Sequence, residues 1–428
     1  MNYVEVNKYF NGLKPFVPVA VMPGELLFDL DTVRVLAGKL RDSQDKTPCV
    51  HITGTNGKGS VAAFLASVLE SAGYKTGTFS SPYLENRTEQ IQINGTDISE
   101  EDFAEVTGDV IEQAKTLSAE ASEFEITTVA AFEYFSRQKC DIAVIEVGMG
   151  GEYDATNIIK SPLLAVFTTI SLEHSQVLGD SLEAIAKVKS GIIKKKTDVV
   201  AMDNSDEVLK LLSEKCGYSG GGFTKASVPE NIKCGLSGTE FDCIFEGETE
   251  HFSLSSPGFY QPFNAGAAIT AAEILKGKGF DISPENVREG LLKVKRPARF
   301  EVLSENPVFI ADGSHNKGAI DAIVHSLKEM FPGKKYIFIT GVLRDKDYGE
   351  MLEPLMELGK KFFTVTPHNP RALPGEKLAY LLLGRGADAD ACESVKDAVE
   401  KAFATAGKDD VIVALGSLYY MGELRKMF

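Results

Sequence analysis

The sequence predicts an α/β protein of two domains, the second smaller and doubly wound, and three observations carry that prediction. Cys49–Thr53 is a short apolar run of strand character, Gly54, Gly57 and Gly59 follow it, and Val61 onward has the apolar spacing of a helix. Further strand-like apolar runs alternate with helical stretches along the rest of the chain, the pattern of a parallel sheet covered by helices. A length of 428 residues exceeds what one hydrophobic core ordinarily organises. The basic, proline-containing stretch 293–301 marks the expected boundary, which gives domains of residues 1–296 and 297–428.

Composition narrows the function before any motif is read. With 43 % hydrophobic and 25 % charged residues the chain has the balance of an ordinary globular protein. A formal charge of −16 argues against a nucleic-acid or anionic-membrane partner, so any anionic substrate must be met by local positive charge. The six cysteines form no C-x-x-C pair, which points to reduced thiols and a cytoplasmic protein. Residues 1–8 lack the charged and apolar regions of a signal peptide, and no apolar run reaches the length of a membrane span. Small-molecule partners and a monomeric state are the expectation.

Taken in order, residues 26–40 carry apolar residues at helical spacing and read as a packing helix. The segment His51-Ile-Thr-Gly-Thr-Asn-Gly-Lys-Gly-Ser60 then joins a strand to a helix through a glycine-rich turn. Such a turn aims backbone N–H groups and a helix N-terminus at an anion. Gly54, Thr55, Asn56, Gly57, Lys58, Gly59 and Ser60 are therefore the expected polyphosphate cradle, with Lys58 adding positive charge and Ser60 a hydroxyl for Mg²⁺. The strict phosphate-loop pattern is relaxed here, since Ile52 stands where it has its first glycine and Gly59 separates Lys58 from Ser60.

A second strand, 76–79, ends in a polar turn at Ser80, Ser81 and Pro82, where the Ser81 hydroxyl can reach Mg²⁺ beside the first loop. Residues 128–135 read as a core helix. Residues 141–151 repeat the strand-to-glycine design and bring Glu146 to the carboxyl end of a parallel strand, where ligands bind in open α/β sheets and a carboxylate can hold Mg²⁺. Residues 163–170 form another buried strand, with His174 just beyond it. Residues 181–196 read as a helix on which Lys189 is, by pattern alone, a solvated lysine. The strand- and turn-rich stretch 197–252 reads as an outer part of the first domain, and Asn264 is suited to cap the alanine-rich helix 265–275. The strands 336–340, 362–365 and 411–415, with helices between them, complete the doubly wound second domain.

The ordered motifs resemble those of the folylpolyglutamate synthase and dihydrofolate synthase branch of the Mur ligase superfamily, over almost the whole chain. Besides 51–60, the matching segments include 76–84, the run Asp154-Ala-Thr-Asn157, Lys189-Ser-Gly-Ile192, Gln261-x-x-Asn264 and Asp312-Gly-Ser-His-Asn316. Segments 341–347, 369–373 and 416–419 match as well. The resemblance implies a phosphate-loop ATPase domain joined to a Rossmann-like ligase domain, using ATP and Mg²⁺ to add L-glutamate to a reduced folate or dihydropteroate through an acyl phosphate.

It also implies roles for individual residues. Ser81, Glu146 and His174 would ligate metal, and Lys189 would carry a carbamate supporting a second metal site. Asp154, Thr156 and Asn157 would lie in the acceptor loop, and Met22 and Pro23 near the pterin. Asn264 would approach the adenine, while Arg299, Asp312 and His315 would position the nucleotide. Lys58, Lys189 and His174 are the expected catalytic set. Six departures from the family's common form fall near these sites: Gln90 and Glu152 in place of arginines, Tyr153 for leucine, Glu173 for aspartate, Ala298 for glycine and Ser314 for alanine. Three other readings compete. One is a Mur-type ligase acting on a cell-wall nucleotide precursor, and one is an ATP-binding regulatory module without catalysis. The third, a GTPase, is disfavoured because Asn316-Lys-Gly-Ala319 ends in alanine where a guanine-reading motif needs aspartate.

Overall fold

The computed structural model describes residues 1–13, 20–22, 25–26, 30–172 and 178–428, and for residues 20–22 and 25–26 the backbone alone. The chain packs as two compact units. The first comprises Met1–Pro229, Cys243–Phe252 and Phe263–Lys293; the second comprises Glu230–Asp242, Ser253–Pro262 and Val294–Phe428. The sequence division at 296 had left all of 230–262 in the first domain. The structure instead packs 230–242 and 253–262 with the second unit.

The first unit opens on the helix Tyr3–Gly12 and a hairpin of β1 (Ala20–Met22) and β2 (Glu25–Leu26). The expected helix over 26–40 is shorter, running Asp31–Lys39, and Leu26 belongs to β2. The main sheet contains β3 (Cys49–Thr53), β4 (Thr76–Phe79), β5 (Ile91–Ile93) and β6 (Thr96–Asp97). It continues with β7 (Ile142–Glu146), β8 (Leu164–Phe167), β9 (Asp198–Ala201) and β10 (Phe223–Lys225). Their spatial order is β10–β9–β8–β3–β7–β4–β5–β6. Pairing is parallel from β10 to β4, and β5 and β6 turn antiparallel at one edge.

β3 lies between β8 and β7 and is buried along its whole length, as a strand covered on both faces must be. Phe103, Phe132 and Phe135 pack with Cys49, Phe79 and Ile145 of the sheet in one cluster. Phe167, Val199, Ile185 and Leu212 form another with the helices Leu182–Lys189 and Asp206–Ser219. The second of these helices lies inside the stretch expected to be strands and turns; its apolar positions Val208, Leu209, Leu212 and Cys216 recur at helical spacing.

Strands β11 (Glu230–Gly235), β12 (Gly238–Phe245) and β13 (Glu248–Leu254) form a separate three-stranded sheet. The main sheet of the second unit holds β14 (Glu301–Glu305), β15 (Val308–Ala311), β16 (Tyr336–Thr340), β17 (Gly359–Thr364), β18 (Ala389–Ala391) and β19 (Val411–Leu415). Their order is β14–β15–β19–β16–β17–β18, parallel except for β14, and the core includes Phe300, Ile310, Leu327, Phe338 and Leu352. Among the described residues no helix is long and apolar enough to cross a membrane.

Candidate active site

The carboxyl ends of β3 and β7 organise the site. After Thr53 the chain turns through Gly54, at φ 149°, and enters the helix Lys58–Ser71 from Gly57, at φ 93°. Backbone angle favours glycine at both positions, and at Gly54 space does as well. A Cβ on Gly54 would lie 1.8 Å from Thr168 Oγ1, and one on Gly57 2.4 Å from Asn264 Oδ1. Asn264 therefore sits against the loop backbone, on the helix Gln261–Gly277.

The loop's N–H groups divide into two sets. Those of Thr55 and Asn56 bond to Thr169 O at 2.7 and 3.4 Å, so these two residues brace the loop against the segment that follows β8 instead of facing a ligand through their amides. The helix that follows has no side-chain cap at Gly57, which leaves its first-turn amides at Lys58, Gly59 and Ser60 to an anion. Lys58 Nζ donates to Gly54 O and Thr55 O, each at 3.2 Å. Lys189, only 3 % exposed, donates to the same Gly54 O at 2.7 Å. Lys189 is thus a buried group of the loop, in contrast to the solvated position its helix pattern suggests. With Gly148, Met149 and Gly150 these lysines line a pocket enclosing about 270 Å³, its open mouth included.

Glu146, at the end of β7, is 5 % exposed and accepts from Ser81 N at 3.4 Å. Register sets Glu146 beside Ile52 of β3, so carboxylate, Ser81 and phosphate loop meet at the carboxyl ends of the central strands. Among the described residues no three His, Cys, Asp or Glu side chains cluster. One carboxylate with the hydroxyls of Ser60 and Ser81 is an all-oxygen donor set, which suits Mg²⁺ bound partly through substrate phosphates. His174, with Glu173, lies outside the described residues, as does Pro23; for Met22 the backbone alone is described.

The loop after β7 is held by a buried relay that sequence reasoning missed. His51 Nε2 meets Thr156 Oγ1 at 2.8 Å, and Thr156 Oγ1 donates to Asp154 Oδ1 at 2.5 Å. Because the hydroxyl proton goes to Asp154, His51 donates through Nε2–H and its Nδ1 carries no proton. Burial, aided by repulsion from Lys194, lowers the His51 pKa from 6.5 to about 3, so the ring is neutral. Asp154 also accepts from the N–H groups of Met149 and Thr156, at 2.8 and 3.0 Å. Burial raises its pKa, against the pull of these donors and of the Lys58 charge. Asn157 spends its amide N–H₂ on Glu152 O (2.8 Å) and Gly191 O (3.4 Å). Asp154, Thr156 and Asn157 therefore shape this loop from within. The signal was a histidine in an otherwise apolar, fully buried strand.

In the second unit, Asp312 is 1 % exposed and its two oxygens are taken by protein donors. Oδ2 accepts from Phe300 N and Tyr260 OH, both at 2.7 Å, and Oδ1 from Ser314 N at 2.8 Å and from the Ser314 hydroxyl. Asp312 thus fixes the loop that carries Arg299 and His315, a positioning role. Arg299 Nη1 lies 3.0 Å from where a Gly313 Cβ would stand. His315 Nδ1 bonds to Gly313 O at 2.8 Å. Ala298, where the family's common form has glycine, adopts φ 53°.

Sheet, uncapped helix, paired lysines and oxygen donors define the class that the geometry supports: a phosphate-loop protein built to hold a polyphosphate with Mg²⁺ at the carboxyl ends of a parallel sheet. Residues 52–272 match the Mur ligase middle domain and residues 298–418 the Mur ligase glutamate ligase domain. The chain is 31 % identical to the dihydrofolate synthase/folylpolyglutamate synthase of Bacillus subtilis, covering 99 % of this chain and 98 % of that one. It is 32 % identical to the folylpolyglutamate synthase of Lacticaseibacillus casei, over 100 % of this chain and 98 % of that one. Among solved structures, the Mycobacterium tuberculosis folylpolyglutamate synthase complexed with ADP superimposes with a TM-score of 0.89 at 26 % identity, covering 99 % and 98 % of the two chains. A folylpolyglutamate synthase complex with AMPPCP and folate gives 0.86 at 27 %, over 100 % and 99 %. The chain belongs to the folylpolyglutamate synthase/dihydrofolate synthase family.

Proposed function

We propose that this enzyme uses ATP and Mg²⁺ to add L-glutamate to a reduced folate, and that it accepts dihydropteroate as well. The observation that carries the reading is the uncapped N-terminus of the helix Lys58–Ser71, with Lys58 folded over its loop and Glu146 and Ser81 beside it. The relatives' names span both activities. In the reaction, the acceptor carboxylate takes the γ-phosphoryl group of ATP, releasing ADP. The glutamate amine then attacks the acyl phosphate, phosphate leaves, and the amine gives up a proton as the amide forms. Lys58 and the first-turn amides offset charge on the transferring group, a task of positioning and electrostatics. Bound Mg²⁺ neutralises phosphate oxygens; Ser60, Ser81 and Glu146 would hold it, with His174 as the family's further ligand.

Lys189 is proposed to be carbamylated: its neutral amine adds CO₂ and loses a proton, giving an anionic oxygen donor for a second metal. A carbamate keeps one N–H, so the bond to Gly54 O can persist. Electron density or intact mass measured with bicarbonate present should show the added group, and an unmodified amine would remove this role. Arg299 and His315 are proposed nucleotide contacts, and the first compact unit the ATPase domain. A monomeric, cytoplasmic enzyme is proposed too, in keeping with six cysteines that are all free. The decisive assay is ADP release with dihydropteroate, tetrahydrofolate and a cell-wall nucleotide dipeptide, each with and without glutamate. Glutamate-dependent turnover with the two pterins is expected; turnover with the cell-wall precursor alone would overturn the folate reading.

A further inference from the structure

β8 ends at Phe167, and the segment after it is the wall against which the phosphate loop rests. Thr169 and Asn56 form an antiparallel bridge outside any strand. Besides the two amides that bond to Thr169 O, Thr169 Oγ1 donates to Asn56 O at 3.3 Å. Thr55 Oγ1 donates to Ser171 O and accepts from Ser171 N, each at 3.1 Å. So short an antiparallel contact is not stable in isolation, and segment 168–171 needs support from its other side.

Asn204 supplies that support from the turn between β9 and the helix Asp206–Ser219. Its Oδ1 accepts from Ile170 N at 2.7 Å, and its Nδ2 donates to Thr168 O at 3.3 Å and to Met202 O at 2.9 Å. The orientation of the amide is fixed. A flip would set its oxygen against two carbonyl oxygens and its N–H₂ against an N–H. One carboxamide thus serves the peptide groups on both sides of Thr169, accepting from one and donating to the other as a neighbouring strand would.

Thr169 is therefore gripped between Asn204 and the phosphate loop, and what Asn204 does to the loop passes through Thr169. Alanine at 204 would take these partners from Thr168 O and Ile170 N. Aspartate would keep the bond to Ile170 N but turn an acceptor toward Thr168 O and Met202 O. The loop after β7, where the acceptor is expected, is braced by a different set of bonds, those of Asp154 to Met149 N and Thr156.

We propose that Asn204 is a positioning residue for nucleotide: by holding 168–170 it holds Thr55 and Asn56, and so sets where the first-turn amides of Lys58, Gly59 and Ser60 stand. The inference rests on the reading of that loop as the phosphate site. Calorimetric titration of the full chain with ADP and Mg²⁺ tests it, together with steady-state ADP release against ATP and tetrahydrofolate. In Asn204→Ala, ADP affinity should fall about tenfold, as expected for the loss of hydrogen bonds to two peptide groups. The KM for ATP should rise by a similar factor while the KM for tetrahydrofolate stays where it was. A merely structural role would lower turnover through a smaller folded fraction and leave both KM values unchanged. Hydrogen exchange at Thr55 and Asn56 in the nucleotide-free protein should quicken, with exchange at Val144 of β7 unaltered. Asn204→Asp serves if the alanine variant does not fold, and it too should bind ADP more weakly. Lys58→Ala, titrated alongside, keeps the two readings apart. Full ADP affinity in both Asn204 variants with weakened binding in Lys58→Ala would overturn the role of Asn204 alone. Full affinity in all three would overturn the phosphate-loop reading and this inference with it, and an equal rise in both KM values would overturn the inference.

Discussion

Lys58 and Lys189 converge on one carbonyl oxygen, Gly54 O, yet they answer to different demands. Lys58 is partly exposed and fills no core, so Lys58→Ala should leave the fold intact while removing charge stabilisation at the transferring phosphoryl group. Turnover should fall at least about 10²-fold, with an unchanged circular dichroism spectrum; near-normal turnover in the folded variant would exclude Lys58 from the mechanism. His51 makes a prediction about pH. Its folded pKa of about 3 lies below the ordinary 6.5, so as pH falls through that interval the unfolded chain binds a proton that the folded one does not. The stability tied to neutral His51 is therefore present above about 6.5 and is lost toward pH 3, with a slope of at most about 1.4 kcal/mol per pH unit. His51→Gln keeps a donor for Thr156 but cannot titrate, so denaturant unfolding across this window should show a flatter dependence; an identical slope would mean the ring titrates normally. The sequence made Lys58 visible because its chemistry follows from a contiguous motif. It hid His51, whose role depends on Thr156, 105 positions away. Separation in sequence likewise hid the Glu152 partners. Read as an unfavourable charge near an anionic acceptor, Glu152 in the structure attracts Lys194 and Lys215.

At the scale of the element, the strand–loop–helix from Cys49 to Ser71 was readable almost residue by residue. A buried parallel strand, a run of glycines and an apolar helix each leave a local signature. What local pattern cannot carry is the partner across space. Thr55 and Asn56 looked like phosphate donors, but their amides are claimed by Thr169, a residue of the loop after β8. The helix expected over 181–196 is shorter, Leu182–Lys189, because its apolar spacing runs on into the 3₁₀ turn Ser190–Ile192. The same contact logic gives a sharp prediction for Gly54→Ala. A Cβ there would stand 1.8 Å from Thr168 Oγ1 and 2.9 Å from Thr168 Cβ, at a backbone angle L-residues rarely adopt. The variant should lose about 2 kcal/mol or more of stability, read as a lower urea midpoint. Thr168→Ala should recover only part of it, because the Cβ contact and the backbone strain persist; full recovery would show that the hydroxyl clash was the whole cost.

For the whole molecule the relevant fact is that two units each have a core of their own, built around Phe103, Phe132 and Phe167 in the first and Phe300, Phe338 and Leu352 in the second. Nothing in such a construction obliges the chain to unfold in one step, and chains of this size commonly do not. A calorimetric scan should therefore resolve more than one transition, or a calorimetric enthalpy larger than the van't Hoff value. Nucleotide then becomes a probe of where the site residues lie. A ligand at about 100 times its Kd stabilises the state that binds it by about 2.7 kcal/mol. The first-unit transition should rise in ADP with Mg²⁺, because the amides of Lys58, Gly59 and Ser60 and the Lys58 charge belong to that unit. The rise should shrink sharply in Lys58→Ala. If Arg299 and His315 also contact nucleotide, the transition of the second unit moves with it, and Arg299→Ala abolishes that second shift while sparing the first. Hydrogen exchange assigns the transitions by reporting β3 and β19 separately. We expect both shifts. A shift confined to the first unit would withdraw Arg299 and His315 from the nucleotide site, leaving Asp312 with the purely positioning role that its four protein donors already describe.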